Sequence, residues 1–333
     1  MAGSCASGDD SDSRAVIAGT DGRVPTFVEV STEAVRAALA GDGLWLDLGA
    51  AVVRVRSDAP ALPPQLQVAY GCHPFVGAGA WADLHIHLAR PSGARRWLRP
   101  QVIFRCDGAQ PFEPFPADTA LPLLEWGGNW LIGQRLNDLL LLHAGAVERD
   151  GRVLLLPATP GSGKSTLTAA LSLSGWRLLS DEFGAFDPVR REFRALLKPA
   201  ALKNASIGVI REFAPSAVIG REFPKTRKGT VAHLAAGLDA VRRRHEPARP
   251  GAIVLPQWRA GSPTRLEPLE PQTAFNALAF NAFNYKLLGA VGFDAAVHLA
   301  QHCPAFRLTY SDIHEAIGTL AALWDDTALS PAT

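Results

Sequence analysis

Residues 153–181 read VLLLPATPGSGKSTLTAALSLSGWRLLSD. An apolar run, Val153 to Leu156, enters a glycine-bearing turn, and a segment with apolar helical spacing opens directly behind it, so the order is strand, loop, helix. A backbone that cradles phosphate needs these residue types at this spacing. Gly161 and Gly163 let N–H groups turn inward, the helix start adds partial positive charge, and the Lys164 ammonium reaches the terminal phosphates. Pro160, Gly161, Ser162, Gly163, Lys164, Ser165 and Thr166 are therefore the expected nucleotide contacts, with the Ser165 hydroxyl placed to hold Mg²⁺. The first glycine of G-x-x-x-x-G-K-[ST] is replaced by Ala158, while the G-x-G-K-[ST] core is intact.

Distance arithmetic singles out the end of this stretch. A helix from Lys164 to Ser174 climbs about 16 Å, Gly175 ends it as a C′ residue does, and a strand from Trp176 to Ser180 returns about 16 Å. Lying parallel beside the first strand, it brings Asp181 and Glu182 level with the loop. Upstream, Leu139 to Val147 and the turn Glu148-Arg149-Asp150-Gly151 carry a hairpin signal. The loop strand is thus expected as one arm of an antiparallel hairpin.

His143, the run Ala158 to Ser165 and Ser180-Asp181-Glu182 resemble, in order and spacing, the core of HPr kinase/phosphorylase, and more closely the bacterial proteins called HprK-related kinase A. The resemblance covers roughly residues 130–320. It implies an α/β fold: a P-loop kinase domain of the HPr kinase/PEP carboxykinase type, with antiparallel hairpins beside the P-loop strand. It also implies an ATP-dependent phosphotransferase using Mg²⁺, with a Ser hydroxyl of an unidentified protein or peptide as acceptor. Asp181 would take the proton of the attacking hydroxyl, His143 would lie close to Asp181 and set its charge, and Lys164 would hold the phosphates. Ser165, Asp181 and Glu182 would face the metal. Ala158 departs from the family at its first glycine and Glu182 at its second Asp. A small-molecule kinase and a non-catalytic nucleotide-binding regulator remain open on the same residues.

Composition narrows the setting. With 33 basic and 32 acidic side chains, the net charge of +1 creates no global field for nucleic acid or an anionic membrane. The four cysteines, Cys5, Cys72, Cys106 and Cys303, lack metal or disulfide spacing. No signal-peptide pattern or apolar run of membrane-spanning length occurs. A cytoplasmic protein is expected, without nucleic-acid or membrane partners, and with homo-oligomerisation left open. The 333 residues divide into an expected disordered tail (1–22), a smaller β-rich N-terminal domain (23–118) and the kinase domain (119–328).

The remaining chain yields local expectations. Strands are expected at Thr26–Val30, Leu44–Asp47, Ala51–Arg56, Leu84–Arg90 and Trp97–Cys106, with a helix at Thr32–Ala40. His85 and His87 share a strand face without a third ligand. A helix is expected over Leu121–Leu136 and a hairpin from Phe183–Phe186 to Glu192–Leu197. Lys198 and Lys203 then follow as solvated surface or phosphate contacts. Lys225 to His233 (KTRKGTVAH) reads as a mobile basic loop, and Arg242-Arg243-Arg244-His245 as a helix end. Ala252–Leu255 is a buried strand stopped by Pro256. The last part reads as largely helical: Pro271–Leu288 as one helix, His298 and His302 on one helix face, and a final helix over Ser311–Trp324 capped by Ser311.

Overall fold

A computed structural model describes residues 23–79, 81–93, 98, 100–159 and 161–325. The tail 1–22, Pro160 and the start of the strand expected from Trp97 lie outside the described residues.

Ser31 opens α1 (Thr32–Ala40) by accepting the Ala34 N–H at 3.1 Å, and Val35 and Leu39 give that helix its inner face. β1 (Leu44–Asp47) and β2 (Val52–Ser57) form the expected hairpin. α2 (Leu62–Ala69), β3 (Leu84–Ala89), β4 (Gln101–Arg105) and the two-residue β5 (Phe115–Pro116) follow, completing a five-stranded sheet in sequence order. Thr26–Val30 is not a strand. The Thr26 N–H goes to the Glu29 carboxylate at 2.7 Å and the Glu29 N–H returns to the Thr26 carbonyl, so the segment closes into a turn.

α3 (Ala120–Arg135) packs on this sheet, with Gly127 against the Phe104 ring. The apolar core beneath it continues past residue 118, taking in Leu124 and Leu131 of α3 and then Leu141, Phe183 and Leu196.

β6 (Leu140–Arg149) and β7 (Arg152–Pro157) are antiparallel, and their turn places Asp150 at φ 55° and Gly151 at φ 74°, as a two-residue hairpin of this hand requires. α4 (Lys164–Leu173) ends at Ser174, with Gly175 at φ 91°. β8 (Arg177–Ser180), β9 (Phe183–Asp187) and β10 (Glu192–Arg194) come next. β8 pairs with β6 rather than with β7. The hairpin arm β6 occupies the place beside the loop strand, so the two strands are parallel in direction but one strand apart.

β11 (Ala200–Lys203), α5 (Ala205–Phe213), β12 (Phe223–Thr226) and β13 (Gly229–Leu234) build a three-stranded antiparallel sheet ordered β11-β13-β12. The segment expected as a mobile basic loop is therefore a tight hairpin, with Lys225 and Gly229 at positive φ.

The remainder is α6 (Leu238–Arg242), β14 (Arg249–Trp258), β15 (Arg265–Leu269), α7 (Pro271–Asn281), α8 (Tyr285–Leu288), α9 (Ala290–His302), β16 (Ala305–Tyr310) and α10 (Ile313–Asp325). The central sheet runs β10-β9-β6-β7-β14-β16-β15, with β8 also on β6, which makes the fold mixed α/β. β15 and β16 fall in the part expected to be helical.

Three further expectations are corrected. β14 continues through Pro256, because its pairing with β7 ends at Ile253 and only the β16 side is bonded beyond, where the missing N–H costs little. The helix expected over Pro271–Leu288 breaks at 282–284. There the buried Asn284 side chain accepts the Leu141 N–H at 3.0 Å and donates to the carbonyls of Leu136 (3.2 Å) and Leu139 (2.8 Å). Finally, Asp312, not Ser311, opens the last helix, its Oδ1 accepting from the N–H groups of His314 and Glu315.

Candidate functional site

The loop between β7 and α4 is held by its carbonyls. Tyr310 Oη donates to the Gly163 carbonyl at 3.2 Å, and the Trp258 N–H to that of Ser162 at 2.9 Å. Gly161 and Gly163 adopt φ of 86° and 89°, a region that strains any residue with a Cβ. At Gly163 a Cβ would also press into Tyr310. No side chain caps α4, so the N–H groups that a helix start leaves unpaired remain available to an anion. Ser165 and Thr166 sit half-buried in this first turn.

Lys164 is buried, and its ammonium donates to the Asp181 carbonyl at 2.5 Å while standing 3.9 Å from Asp181 Oδ1. Asp181 is only 5 % exposed. Its Oδ2 accepts the Ala201 N–H at 3.3 Å, whereas Oδ1 has no hydrogen-bond partner. Ser162 Oγ in the loop is also buried without one. A buried polar atom without a partner costs about 1–3 kcal/mol, and such atoms are retained where a ligand completes them.

Glu182 follows Asp181 directly and is half-buried. His143 Nε2 lies 3.5 Å from its Oε1, so the imidazole expected beside Asp181 has the Glu182 carboxylate as its neighbour. Burial raises the Glu182 carboxyl, but Lys164, His143, Lys203 and Lys228 outweigh it and hold the group below the usual range. Burial lowers His143, and the Lys164 charge lowers it further against the pull of Glu182, so the ring is neutral at pH 7. Burial, then the neighbouring Lys228 charge, lowers Lys203. Lys198 turns elsewhere, to Glu125 at 3.1 Å and Asn129 at 2.6 Å.

Three cavities share walls along this line. One of about 690 Å³ opens beside the loop, against Gly161, Ser162, Trp258, Arg259, Asn276 and Arg307. A second, about 200 Å³, shares Thr159, Phe280 and Asn281 with the first and adds His143 and Phe283. A third, about 370 Å³, begins at Glu182 and Phe283 and runs between α3 and the β12–β13 hairpin. The three cavities are therefore neighbours in a line from the glycine loop, past His143, to Glu182 and beyond.

Lys164, Asp181, Glu182, His143, Ser165 and the loop glycines thus come together. Trp258, Arg259, Arg307 and Tyr310 had no sequence signal, because only the parallel pairing of β14 with β16 brings them to the loop. The other candidates stay apart. The His298 and His302 rings lie 4.2 Å apart, tilted by 35°, and among the described residues no group of three or more His, Cys, Asp or Glu side chains is arranged to hold a metal. Arg243 serves Glu148, Asp239 and Glu246, while Arg244 and His245 both reach Asp47 at 2.8 Å. No family model and no curated protein matches the sequence.

Proposed function

We propose that the chain is an ATP-dependent phosphotransferase of the HPr kinase/PEP carboxykinase type, moving the γ-phosphate of ATP onto a hydroxyl. The observation that carries this reading is the pairing of a loop lysine with a buried, half-satisfied carboxylate: Lys164 Nζ and Asp181 Oδ1 at 3.9 Å, the latter without a hydrogen-bond donor. An acceptor hydroxyl or a metal-bound water supplies the missing donor.

The amides of residues 161–165 and the Lys164 ammonium hold the β- and γ-phosphates, releasing Lys164 from the Asp181 carbonyl. Ser165 with Asp181 and Glu182 would hold Mg²⁺, an ion that keeps several waters and needs few protein ligands; when bound it neutralises phosphate charge. Asp181 accepts the hydroxyl proton as the new phosphorus–oxygen bond forms. The bond from phosphorus to the β–γ bridging oxygen breaks, and ADP leaves with the electron pair. His143, 3.5 Å from Glu182 Oε1, tunes the charge of the carboxylates. By resemblance the acceptor is a Ser hydroxyl of a protein or peptide. The aromatic-walled third cavity favours a second reading, a small-molecule acceptor.

The test is binding of a fluorescent ATP analogue, together with transfer of labelled γ-phosphate by the purified full chain. Lys164→Ala is expected to lose both binding and transfer, whereas Asp181→Asn keeps binding and loses transfer by about 10²–10⁴. Transfer at the wild-type rate by Asp181→Asn removes the base assignment, and an absence of ATP binding by the wild type removes the function.

A further inference from the structure

The third cavity is the strongest feature that the nucleotide site leaves unused. Its walls are aromatic: Phe115 and Trp126 stack at 5.7 Å, and Phe183 and Phe283 meet at 5.1 Å at the end nearest Glu182. Its polar groups converge from the opposite side, as Lys203 on β11 and Arg227 and Lys228 in the β12–β13 turn. Arg227 lies over the rings of Phe115 and Trp126 at 5.6 and 5.9 Å. No ion pair engages these three cations among the described residues. Of the two carboxylates in the wall, Glu125 is already taken by Lys198 and by the Tyr70 hydroxyl, leaving Glu182. His233 also lines this space; it is 2 % exposed, and its Nδ1 has no hydrogen-bond partner.

Apolar walls with a few convergent polar groups and a volume of about 370 Å³ match a site for a small organic molecule rather than for a loop of a folded protein. The excess of unpaired cations over free carboxylates calls for an anionic substituent. The position of Glu182, shared between this cavity and the carboxylate pair at the loop, puts the inner end of the ligand next to the transferring phosphate. We infer that this cavity binds the phosphoryl acceptor, and that the acceptor is a small aromatic or branched apolar compound carrying a hydroxyl and an anionic group. The word acceptor rests on the phosphotransferase reading above; binding of this ligand class does not. The apolar body lies between Phe115, Trp126 and Phe283, the anion is held by Arg227 and Lys228, and the hydroxyl points past Glu182 toward Asp181.

The experiment uses the full chain and two probes, the aromatic anion 8-anilinonaphthalene-1-sulfonate as reporter and 3-phenyllactate as competitor. Saturable binding of the dye at one site per chain is expected, with displacement by 3-phenyllactate. Gly133 lines the cavity from α3, and a Cβ there meets nothing within 4 Å. Gly133→Phe is therefore expected to fold with a melting temperature no lower than that of the wild type while weakening dye binding at least about tenfold. Arg227→Gln weakens it several-fold by removing the anion's partner. Equal dye affinity in the wild type and a folded Gly133→Phe, or failure of 3-phenyllactate to displace the dye, overturns the inference. Lys164→Ala separates the two readings: it is expected to lose ATP and keep the dye. Should the wild type bind the dye but not ATP, the phosphotransferase reading falls and the ligand site stands. Should it bind ATP but not the dye, the reverse holds.

Discussion

Asp181 and Glu182 are adjacent in sequence and differ in surroundings. Asp181 is sealed behind Lys164 with one oxygen unpaired, whereas Glu182 meets His143 and opens onto the aromatic cavity. Their substitutions should differ accordingly. Asp181→Asn removes the proton acceptor and with it transfer. Glu182→Gln removes the charge that raises His143, so the His143 pKa is expected to fall further below its ordinary value, as measured by the imidazole proton shifts across pH. The sign for stability follows from the lowered Glu182 carboxyl. Its contribution is present above the unfolded value of 4.5 and is lost as the pH falls through the lower folded value. Glu182→Gln should flatten that acid limb of the denaturation profile.

At the scale of the element, α3 tests how far helix propensity governs this fold. Gly127 and Gly133 both lie inside it, and each costs about 1 kcal/mol relative to Ala in a free helix. Gly127 is pressed against Phe104, so a methyl group there must displace a buried ring, whereas Gly133 has open space. Gly133→Ala should therefore stabilise by up to about 1 kcal/mol, and Gly127→Ala should destabilise by roughly 1–3 kcal/mol. Urea denaturation midpoints read both signs. The break after α7 follows the same logic in reverse. The Asn284 side chain satisfies three backbone groups at the start of β6, and that outweighs the helical spacing of Phe275, Leu278, Phe283 and Leu287.

Across the whole molecule, buried charge ties distant segments together. Glu148 at the end of β6 meets Arg177 of β8 at 2.5 Å, both side chains 2 % exposed, and Arg243 joins at 3.3 Å. Arg177→Met leaves the Glu148 carboxylate short of its partner and is expected to destabilise by about 3–5 kcal/mol, read from denaturant unfolding. Two histidines set a pH dependence. His73 in the N-terminal core and His233 in β13 are lowered by burial to about 4. Both are neutral in the folded chain, while the unfolded chain binds protons below pH 6.5, so stability falls as pH drops from 6.5 toward 4. The loss approaches roughly 3 kcal/mol per histidine. Replacing either by an apolar residue of similar size should shrink it.

The hairpin at Asp150-Gly151, the glycine loop, the length of α4 and the return of the chain to Asp181 were all legible along the chain. Each depends on dihedral preferences and rise per residue, which are local. What stood beside what beyond that hairpin was not legible: β14 rather than β8 takes the other side of the loop strand, β16 delivers Tyr310 to Gly163, and Pro256 is tolerated because β7 has already ended. The partner of His143 and the cavity between α3 and the β12–β13 hairpin belong to the same class. Strand pairing and cavity walls join residues far apart in sequence, and no periodicity within one segment records which other segment will satisfy its hydrogen bonds or cover its apolar face.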